Sequence, residues 1–267
     1  MDTIINGTKI HWIERGDPQG LPVVFLHGFP FSHEMWLPQL AALPPGIRAL
    51  AYDLRGLGRS EAGDWPLTLE GHVDDLIAFL DDRAIAQAVL VGLSMGGYIA
   101  LRALQRNPER CAAAALCDTR SEADTDEAKL RRAAQIKQIR EAGVEAFAEG
   151  FLKAIFAPQS FAGRPEAVAA IRRIILETEP RAMAATLLAL AARSDTSEAL
   201  SRLRIPVLLL VGELDQITPP AAAQAMHEKI PGSRLEVLPE AAHMSNLENP
   251  EAFNRCLWEF LRLVPRR

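Results

Sequence analysis

The chain has 267 residues, of which 49% are apolar and 24% are charged, and its net charge is −5. This composition is typical of a globular protein and excludes a disordered chain. The acidic balance, with only 6% aromatic residues, argues against nucleic acid as the main partner, because it offers no basic face and no platform for stacking bases. The length suits one large domain, or a smaller domain that carries an insertion.

The cysteines and the N-terminus predict a cytoplasmic location. Cys111, Cys117 and Cys256 do not have the spacing of a zinc site, so we expect buried reduced thiols and no bound metal. No apolar run reaches the ~18 residues that a membrane helix needs, so we expect no membrane association. Residues 1–4 are not a basic region followed by an apolar stretch, and we therefore expect no signal peptide.

In chain order, hydrophobic periodicity predicts eight strands, and the central ones are apolar throughout, as expected of strands buried on both faces. The predicted strands are residues 3–5, 9–14, 23–27, 49–53, 88–92, 112–117, 206–211 and 234–238. Helices are predicted at residues 68–82, 97–105, 219–230 and 250–263. Because strands and helices alternate, we expect an α/β fold with a mostly parallel sheet and helices on both faces.

Residues 125–196 break this alternation. They contain no strand signal and are rich in Ala, Arg and Glu, which favours several helices. We interpret them as a helical lid inserted between two strands, so that residues 1–124 and 197–267 form the core domain. Ordinary crossover helices are the alternative, although one crossover rarely needs so many residues.

A G-x-S-x-G sequence at residues 92–96 is the strongest functional signal in the chain. A predicted strand enters it and a predicted helix leaves it, which is the setting of a nucleophile elbow. Glycine is needed on both sides of Ser94 because the backbone crosses itself closely in such a turn. We therefore predict that Ser94 is a nucleophile. The alternative is an inert serine in a Gly-rich turn.

A serine hydroxyl needs a base, and His243 is the best placed of the six histidines. It follows the last predicted strand, and the loops that follow parallel strands meet at one edge of a sheet. Asp215 follows the strand before it and is predicted to orient His243, in the chain order Ser94, Asp215, His243. Glu213 and Asp118 are alternative candidates for this acid.

Two backbone N–H groups are predicted to stabilise the oxyanion of a tetrahedral intermediate. One belongs to Met95, the residue after the nucleophile. The other belongs to Phe29, in the loop after the strand at 23–27, since Pro30 has no N–H. His27 is expected to hold this loop in place and not to act as the base.

Several segments carry a family resemblance: His27-Gly28-Phe29-Pro30, the Asp53-Leu54-Arg55-Gly56-x-Gly58-x-Ser60 turn, Gly92-x-Ser94-Met95-Gly96-Gly97, Asp215 and His243. Together they resemble the α/β-hydrolase superfamily, and within it small bacterial carboxylesterases and 3-oxoadipate enol-lactonase-like hydrolases. The resemblance implies an eight-stranded, mostly parallel sheet whose second strand is antiparallel. It also implies a Ser-His-Asp triad and no cofactor.

The expected function is hydrolysis of small or medium carboxylic esters through an acyl-enzyme, with a small-molecule ester or lactone as the partner. The same triad could instead hydrolyse a lactone such as an enol-lactone, cleave a carbon–carbon bond beside a carbonyl, or carry out cofactor-free perhydrolysis. An alternative of another class is a receptor-like protein that keeps the fold and binds a ligand without catalysis.

The substrate pocket is predicted on less specific grounds. Apolar side chains of the lid, with one tryptophan after the oxyanion segment, could line a site for an acyl or alcohol group, although lid residues of this kind are more often core. They are Trp36, Phe147, Phe151, Leu152, Ile155, Phe156 and Met183. A lactone or dicarboxylate substrate would require an arginine or lysine near Ser94, and the sequence alone does not place one there.

Overall fold

The computed structural model describes residues 1–64 and 66–265. Within them, a single sheet is built from β1 (Asp2–Ile5), β2 (Thr8–Gly16), β3 (Leu21–Leu26), β4 (Ile47–Tyr52), β5 (Ala88–Leu93), β6 (Cys111–Cys117), β7 (Val207–Gly212) and β8 (Arg234–Leu238). The strand order is β1-β2-β4-β3-β5-β6-β7-β8. Strand β2 pairs antiparallel with β1 and β4, and every other neighbouring pair is parallel.

Helices occupy most of the remaining chain. They are α1 (Leu37–Ala41), α2 (Leu69–Asp82), α3 (Met95–Arg106), α4 (Asp126–Ile155), α5 (Ser160–Gly163), α6 (Pro165–Glu177), α7 (Pro180–Ala191), α8 (Pro220–Lys229), α9 (Ser245–Glu248) and α10 (Pro250–Arg262). None of the described helices is both long enough and apolar enough to cross a membrane.

The predicted α/β fold with a mostly parallel sheet is confirmed. All eight predicted strands are present, and their observed ends lie within two residues of the predicted ones. Helix α2 begins where the sequence places it because the Thr68 hydroxyl accepts a hydrogen bond from the Gly71 N–H at 3.0 Å. The short helices α1 and α9 were not predicted, since four or five residues carry no periodic pattern.

The apolar central strands are buried as expected. Every residue of β5 and β7 is buried, which requires packing against both faces of the sheet. Helix α3 packs on β3, β5 and β6, and α10 packs on β7 and β8. The three cysteines are buried and unbonded to one another, as predicted.

The segment at 125–196 is helical, as its composition predicts, and contains α4 to α7. Helix α4 starts at an N-cap formed by Thr125, whose hydroxyl accepts from the Ala128 N–H. It is kinked at Gly143, where φ is 87° and ψ is 167°. The C-terminal half of α4 and helix α7 carry apolar side chains that are buried in the structure.

The turn between β5 and α3 brings three backbone segments into very close contact. A Cβ atom built at Gly92 would lie 2.3 Å from the Gly96 carbonyl oxygen, and one at Gly96 would lie 2.0 Å from the Leu26 carbonyl oxygen. Both distances are far inside van der Waals contact, and neither neighbour is a side chain that could rotate away. Glycine is therefore required at both positions.

Replacing Gly96 with alanine is expected to destabilise the protein by about 3 kcal/mol, because the added methyl group must displace the backbone of β3. The free energy of unfolding from urea titrations would measure this loss. Gly150→Ala is the matched control, since a Cβ at this helical position meets nothing within 4 Å. Alanine there is expected to be neutral or to stabilise the protein by up to about 1 kcal/mol. Equal stabilities of the two variants would contradict the steric argument.

Candidate active site

Ser94 is held at the end of β5 in a strained conformation. Its φ is 55° and its ψ is −114°, and it is the N-cap residue of α3. A positive φ is unfavourable for a residue with a side chain, so the surrounding contacts must hold it. The Ser94 N–H donates to the Cys117 carbonyl at 2.9 Å, and its own carbonyl accepts from the Thr119 hydroxyl at 2.9 Å. The half-buried serine is thereby held above the carboxyl edge of the sheet.

Asp215 and His243 form a buried pair at the same edge. His243 Nδ1 lies 2.8 Å from Asp215 Oδ2, and both side chains are almost fully buried. The Thr218 hydroxyl donates to the same Asp215 oxygen at 2.6 Å, and the other oxygen accepts from the N–H groups of Ile217 and Thr218. Because the carboxylate can only accept, the proton sits on Nδ1 and Nε2 of the neutral ring is free to accept a proton.

The environment of Asp215 favours its ionised form. Burial raises the pKa of this carboxyl, but the attraction of His243 and the hydrogen bonds from His243 and Thr218 outweigh that effect. The resulting pKa lies below the ordinary value for an aspartate. The carboxylate is therefore charged at neutral pH and can stabilise a protonated imidazole.

The two alternative acids do not contact His243. Asp118 instead accepts from the Gly212 N–H at 2.9 Å and from the Ser245 hydroxyl. Burial, together with the nearby charge of Asp215, raises the pKa of Asp118 well above its ordinary value. Glu213 is exposed and accepts from the Glu240 N–H at 3.3 Å. The structure thus pairs His243 with Asp215.

Ser94 and His243 line one cavity of about 290 Å³. Phe29 and Phe151 form apolar parts of its wall. Larger cavities exist elsewhere, including one of about 620 Å³ at the amino ends of the strands, but Ser94 and His243 are not among the residues that line it. Among the described residues no hydrogen bond joins the Ser94 hydroxyl to His243, so the two groups face a shared space, as is common in sites without substrate.

The backbone N–H groups of Phe29 and Met95 are both available. Within residues 1–64 and 66–265, neither donates to a protein acceptor. Met95 is the first residue of α3, where backbone N–H groups have no partner inside the helix. Phe29 follows β3 at the same edge of the sheet and lines the cavity with Ser94.

The loop that carries Phe29 is held by His27, as expected from the sequence. His27 Nδ1 donates to the Gly28 carbonyl at 2.8 Å, and Nε2 accepts from the Leu54 N–H at 2.9 Å. Burial lowers the pKa of His27 to about 4. This histidine is neutral and fully hydrogen bonded, so it has no lone pair left for proton transfer.

The predicted pocket residues fall into two groups. Phe151 lines the cavity, and Phe147 stacks behind it with ring centroids 5.1 Å apart. Phe147, Trp36 and Phe156 are not among the residues that line it, so the prediction that they form the pocket wall is wrong for these three. Trp36 is fully buried in the core, where its ring lies 5.2 Å from Phe25 and 6.1 Å from Phe253 between centroids, because the large apolar area of an indole favours burial.

Phe156 lies beyond the C-terminal end of α4 and packs edge-on against Phe161, with ring centroids 6.4 Å apart. The remaining predicted apolar side chains, Leu152, Ile155 and Met183, are also buried outside the set that lines the cavity. Helical periodicity identifies such residues as facing inwards, but it does not separate a pocket wall from the core behind it.

Arginines beside Ser94 are the main feature that sequence reasoning missed. Arg120, Arg131 and Arg132 all line the cavity. Arg132 is paired with Asp124, and Asp124 also pairs with Arg193. Arg120 could have been suspected, since it lies three residues after the end of β6, at the edge where Ser94 lies. Arg131 and Arg132 could not have been predicted to line the cavity, because only the packing of α4 brings them there.

The described residues contain no group of three or more His, Cys, Asp or Glu side chains arranged to hold a metal ion. The candidate site contains the Ser94 hydroxyl, the His243 imidazole hydrogen bonded to Asp215, and the backbone N–H groups of Phe29 and Met95. The cavity wall is partly apolar and partly cationic. Such a set can carry out nucleophilic attack on a carbonyl carbon with proton transfer.

Known proteins resemble this chain over nearly its whole length. It is 32% identical to 3-oxoadipate enol-lactonase 2 of Acinetobacter baylyi over 88% of this chain and 86% of that protein. A thermophilic esterase from Thermogutta terrifontis, solved with malate bound, superposes with a TM-score of 0.94 at 35% identity over 99% of both chains. The enol-lactonase from Burkholderia xenovorans gives a TM-score of 0.91 at 31% identity over 98% of this chain and 100% of that one.

A sequence model of the alpha/beta hydrolase family matches residues 23–255, which include every strand from β4 to β8 and all three polar side chains of the candidate site. The sheet order, with its antiparallel second strand, agrees with the fold that the sequence motifs implied. The chain belongs to the alpha/beta hydrolase family.

Proposed function

We propose that this protein is a serine hydrolase that cleaves small or medium carboxylic esters through an acyl-enzyme. The observation that carries the proposal is the buried Asp215–His243 pair, which faces the same cavity as the strained Ser94. Its resemblance to an esterase and to enol-lactonases supports a reaction at an ester or lactone carbonyl.

The reaction proceeds in two halves. Ser94 Oγ bonds to the ester carbonyl carbon as its proton passes to His243 Nε2, and the protonated imidazole is stabilised by Asp215. The bond from the carbonyl carbon to the alcohol oxygen then breaks, and the departing alcohol takes the proton from His243. Water repeats the sequence on the acyl-enzyme, which releases the carboxylic acid and restores Ser94.

The negative oxygen of each tetrahedral intermediate needs donors that are already in place. We assign this role to the backbone N–H groups of Phe29 and Met95, which have no protein acceptor within the described part of the chain. The Met95 N–H is especially suited to it because it lies at the start of α3, at the positive end of the helix dipole.

We also assign residues 125–196 to a lid over a core formed by residues 1–124 and 197–267. Support comes from helix α4, which supplies Phe151, Arg131 and Arg132 to the wall of the cavity that Ser94 lines. In this arrangement the core carries the reacting groups, and the helical segment selects the substrate.

A second candidate substrate class is a lactone or ester that also bears a carboxylate. Arg120 and Arg131 line the cavity, and within residues 1–64 and 66–265 neither forms an ion pair. Arg120 donates to the Ile217 carbonyl, which holds its guanidinium at the cavity wall. Guanidinium groups bind carboxylates through charge-assisted hydrogen bonds, so two arginines without an ion pair at one wall favour an anionic group on the substrate. The malate bound to the Thermogutta terrifontis esterase is itself a dicarboxylate.

Ser94→Ala is expected to lower kcat for p-nitrophenyl esters, from acetate to octanoate, by about 10⁴-fold or more, because no other group can form the acyl-enzyme. Initial rates of the two proteins across the series measure the effect. Thermal unfolding serves as the control, since loss of one hydroxyl group should leave the fold intact. Wild-type turnover no higher than that of Ser94→Ala would exclude the esterase function, and full activity in the variant would exclude this site.

Asp215→Asn is expected to lower kcat by about 10³- to 10⁴-fold, because an amide NH₂ facing His243 Nδ1 favours the tautomer that cannot accept the Ser94 proton. Steady-state kinetics at neutral pH measure the loss. Glu213→Gln is the matched control, as this acid is exposed and does not contact His243. If Glu213→Gln were the more damaging change, Asp215 would not be the acid of the triad.

Arg131→Ala is expected to lower kcat/KM for a monomethyl dicarboxylate by about 10-fold while changing that for the corresponding dimethyl ester less than 2-fold, since only the first substrate has a carboxylate to bind. Arg140→Ala is the control, because Arg140 lies on the same helix, outside the cavity, and pairs with Glu141. Equal effects of Arg131→Ala on the two esters would argue against an anionic substrate.

A further inference from the structure

We propose that Glu248 is a positioning residue for His243, and that it ties the loop carrying this histidine to the end of helix α4. The inference rests on the proposed function, in which His243 is the base. Glu248 is not one of the reacting groups, and it is the last residue of α9. It is only 6% exposed, which is unusual for a glutamate and calls for specific partners.

One carboxylate oxygen of Glu248 holds the peptide directly before the base. Oε2 accepts a hydrogen bond from the Ala242 N–H at 2.8 Å. The other side of this segment is packed against the loop that carries Asp215. The Ala241 carbonyl accepts from the Leu214 N–H at 2.8 Å, and a Cβ built at Gly212 would lie only 2.0 Å from the Ala242 carbonyl oxygen. The backbone at 241–242 is therefore fixed from two sides.

The second carboxylate oxygen reaches the helical segment. Oε1 accepts from the Ala157 N–H at 2.7 Å and from the Ser160 hydroxyl at 2.6 Å. Ala157 lies between the end of α4 and the start of α5, and both it and Ser160 are buried. One buried carboxylate thus has three donors from two segments that are distant in the sequence.

This link has a consequence for catalysis because each segment contributes to the same cavity. Helix α4 supplies Phe151, and the loop before α9 supplies His243. Loss of the Glu248 contacts would allow the peptide before His243 to move relative to both Ser94 and Asp215. Misplacement of a catalytic group by about 1 Å can cost about 100-fold in rate.

Glu248→Gln tests the inference with the smallest change of shape. An amide has one acceptor oxygen and an NH₂ group, so one side of the link must place a donor against a donor. We expect kcat for a p-nitrophenyl ester to fall by about 10- to 100-fold with KM changed less than 3-fold, because the pocket wall is kept while the base is displaced. The rates are measured at a temperature at which circular dichroism shows the variant to be folded.

Glu251→Gln is the matched control, since Glu251 is an exposed glutamate three residues further on that pairs with Arg164. Its kcat should equal that of the wild type.

Ser160→Ala is a milder variant that removes one donor to Oε1 and leaves the Ala242 contact. We expect kcat to fall by about 2- to 5-fold with KM unchanged. It also decides the matter if Glu248→Gln does not fold, because an unchanged kcat in Ser160→Ala would then overturn the inference.

The same assay separates this inference from the proposed function. Activity that survives in both Ser94→Ala and His243→Ala would refute the proposed function itself. Loss of activity in those two variants, combined with a folded Glu248→Gln that retains the kcat of Glu251→Gln, would overturn only the role of Glu248. A decrease in Glu248→Gln that follows the unfolded fraction, or that appears in KM and not in kcat, would also overturn it.

Discussion

The common direction of the strands from β3 to β8 is the constraint on which the candidate site depends. In a parallel sheet the carboxyl ends of these strands meet at one edge, whatever the distance between them along the chain. Phe29, Ser94, Asp215 and His243 each follow a different strand and reach this edge. The close backbone contacts at Gly92 and Gly96 then fix the height of Ser94 above the sheet. The parallel strands and a few tight turns thus bring together groups that are more than 200 residues apart in the sequence.

Two buried carboxyl groups, Asp215 and Asp118, lie close together at this edge, and burial, charge and hydrogen bonding shift their pKa values in opposite directions. Asp215 accepts several hydrogen bonds and faces His243, so its pKa is lowered. Asp118 is fully buried next to that charge, and its pKa is raised. It accepts from the Gly212 N–H, at the end of the strand before Asp215, and from the Ser245 hydroxyl, at the start of the helix after His243. The negative charge is thereby concentrated on the carboxylate that touches the imidazole.

The helical segment has two separate relations to the core. Through α4 it supplies aromatic and cationic side chains to the cavity, and through Ala157 and Ser160 it is hydrogen bonded to Glu248 near the base. Arg193 makes a separate contact with the core, since it pairs with Asp124 and its guanidinium lies 4.2 Å from the Tyr98 ring centroid. Substrate selection and the position of the base are therefore linked by the same helices in the proposed mechanism.

Local patterns in the sequence were enough to predict the strands, the main helices and the candidate nucleophile. Buried parallel strands are apolar throughout, and a turn that excludes Cβ atoms requires glycine on both sides of Ser94. The sequence also named Asp215 and His243, because the strand order of a parallel sheet limits where the loops can meet. The sequence did not exclude Asp118 or Glu213 as the acid that orients His243, since spacing does not show which carboxylate faces the imidazole.

The choice of side chains that enter the cavity depends on long-range packing and could not be predicted from local patterns. Trp36 and Phe151 have the same apolar character in the sequence, yet one fills the core and the other lines the site. The same holds for charge, because Arg131 and Arg140 lie on one helix and only the first reaches the cavity. No sequence pattern indicated a role for Glu248, because its three hydrogen-bond donors come from residues up to 91 positions away. Contacts of this kind depend on how helices pack on the sheet, and no local pattern encodes that packing.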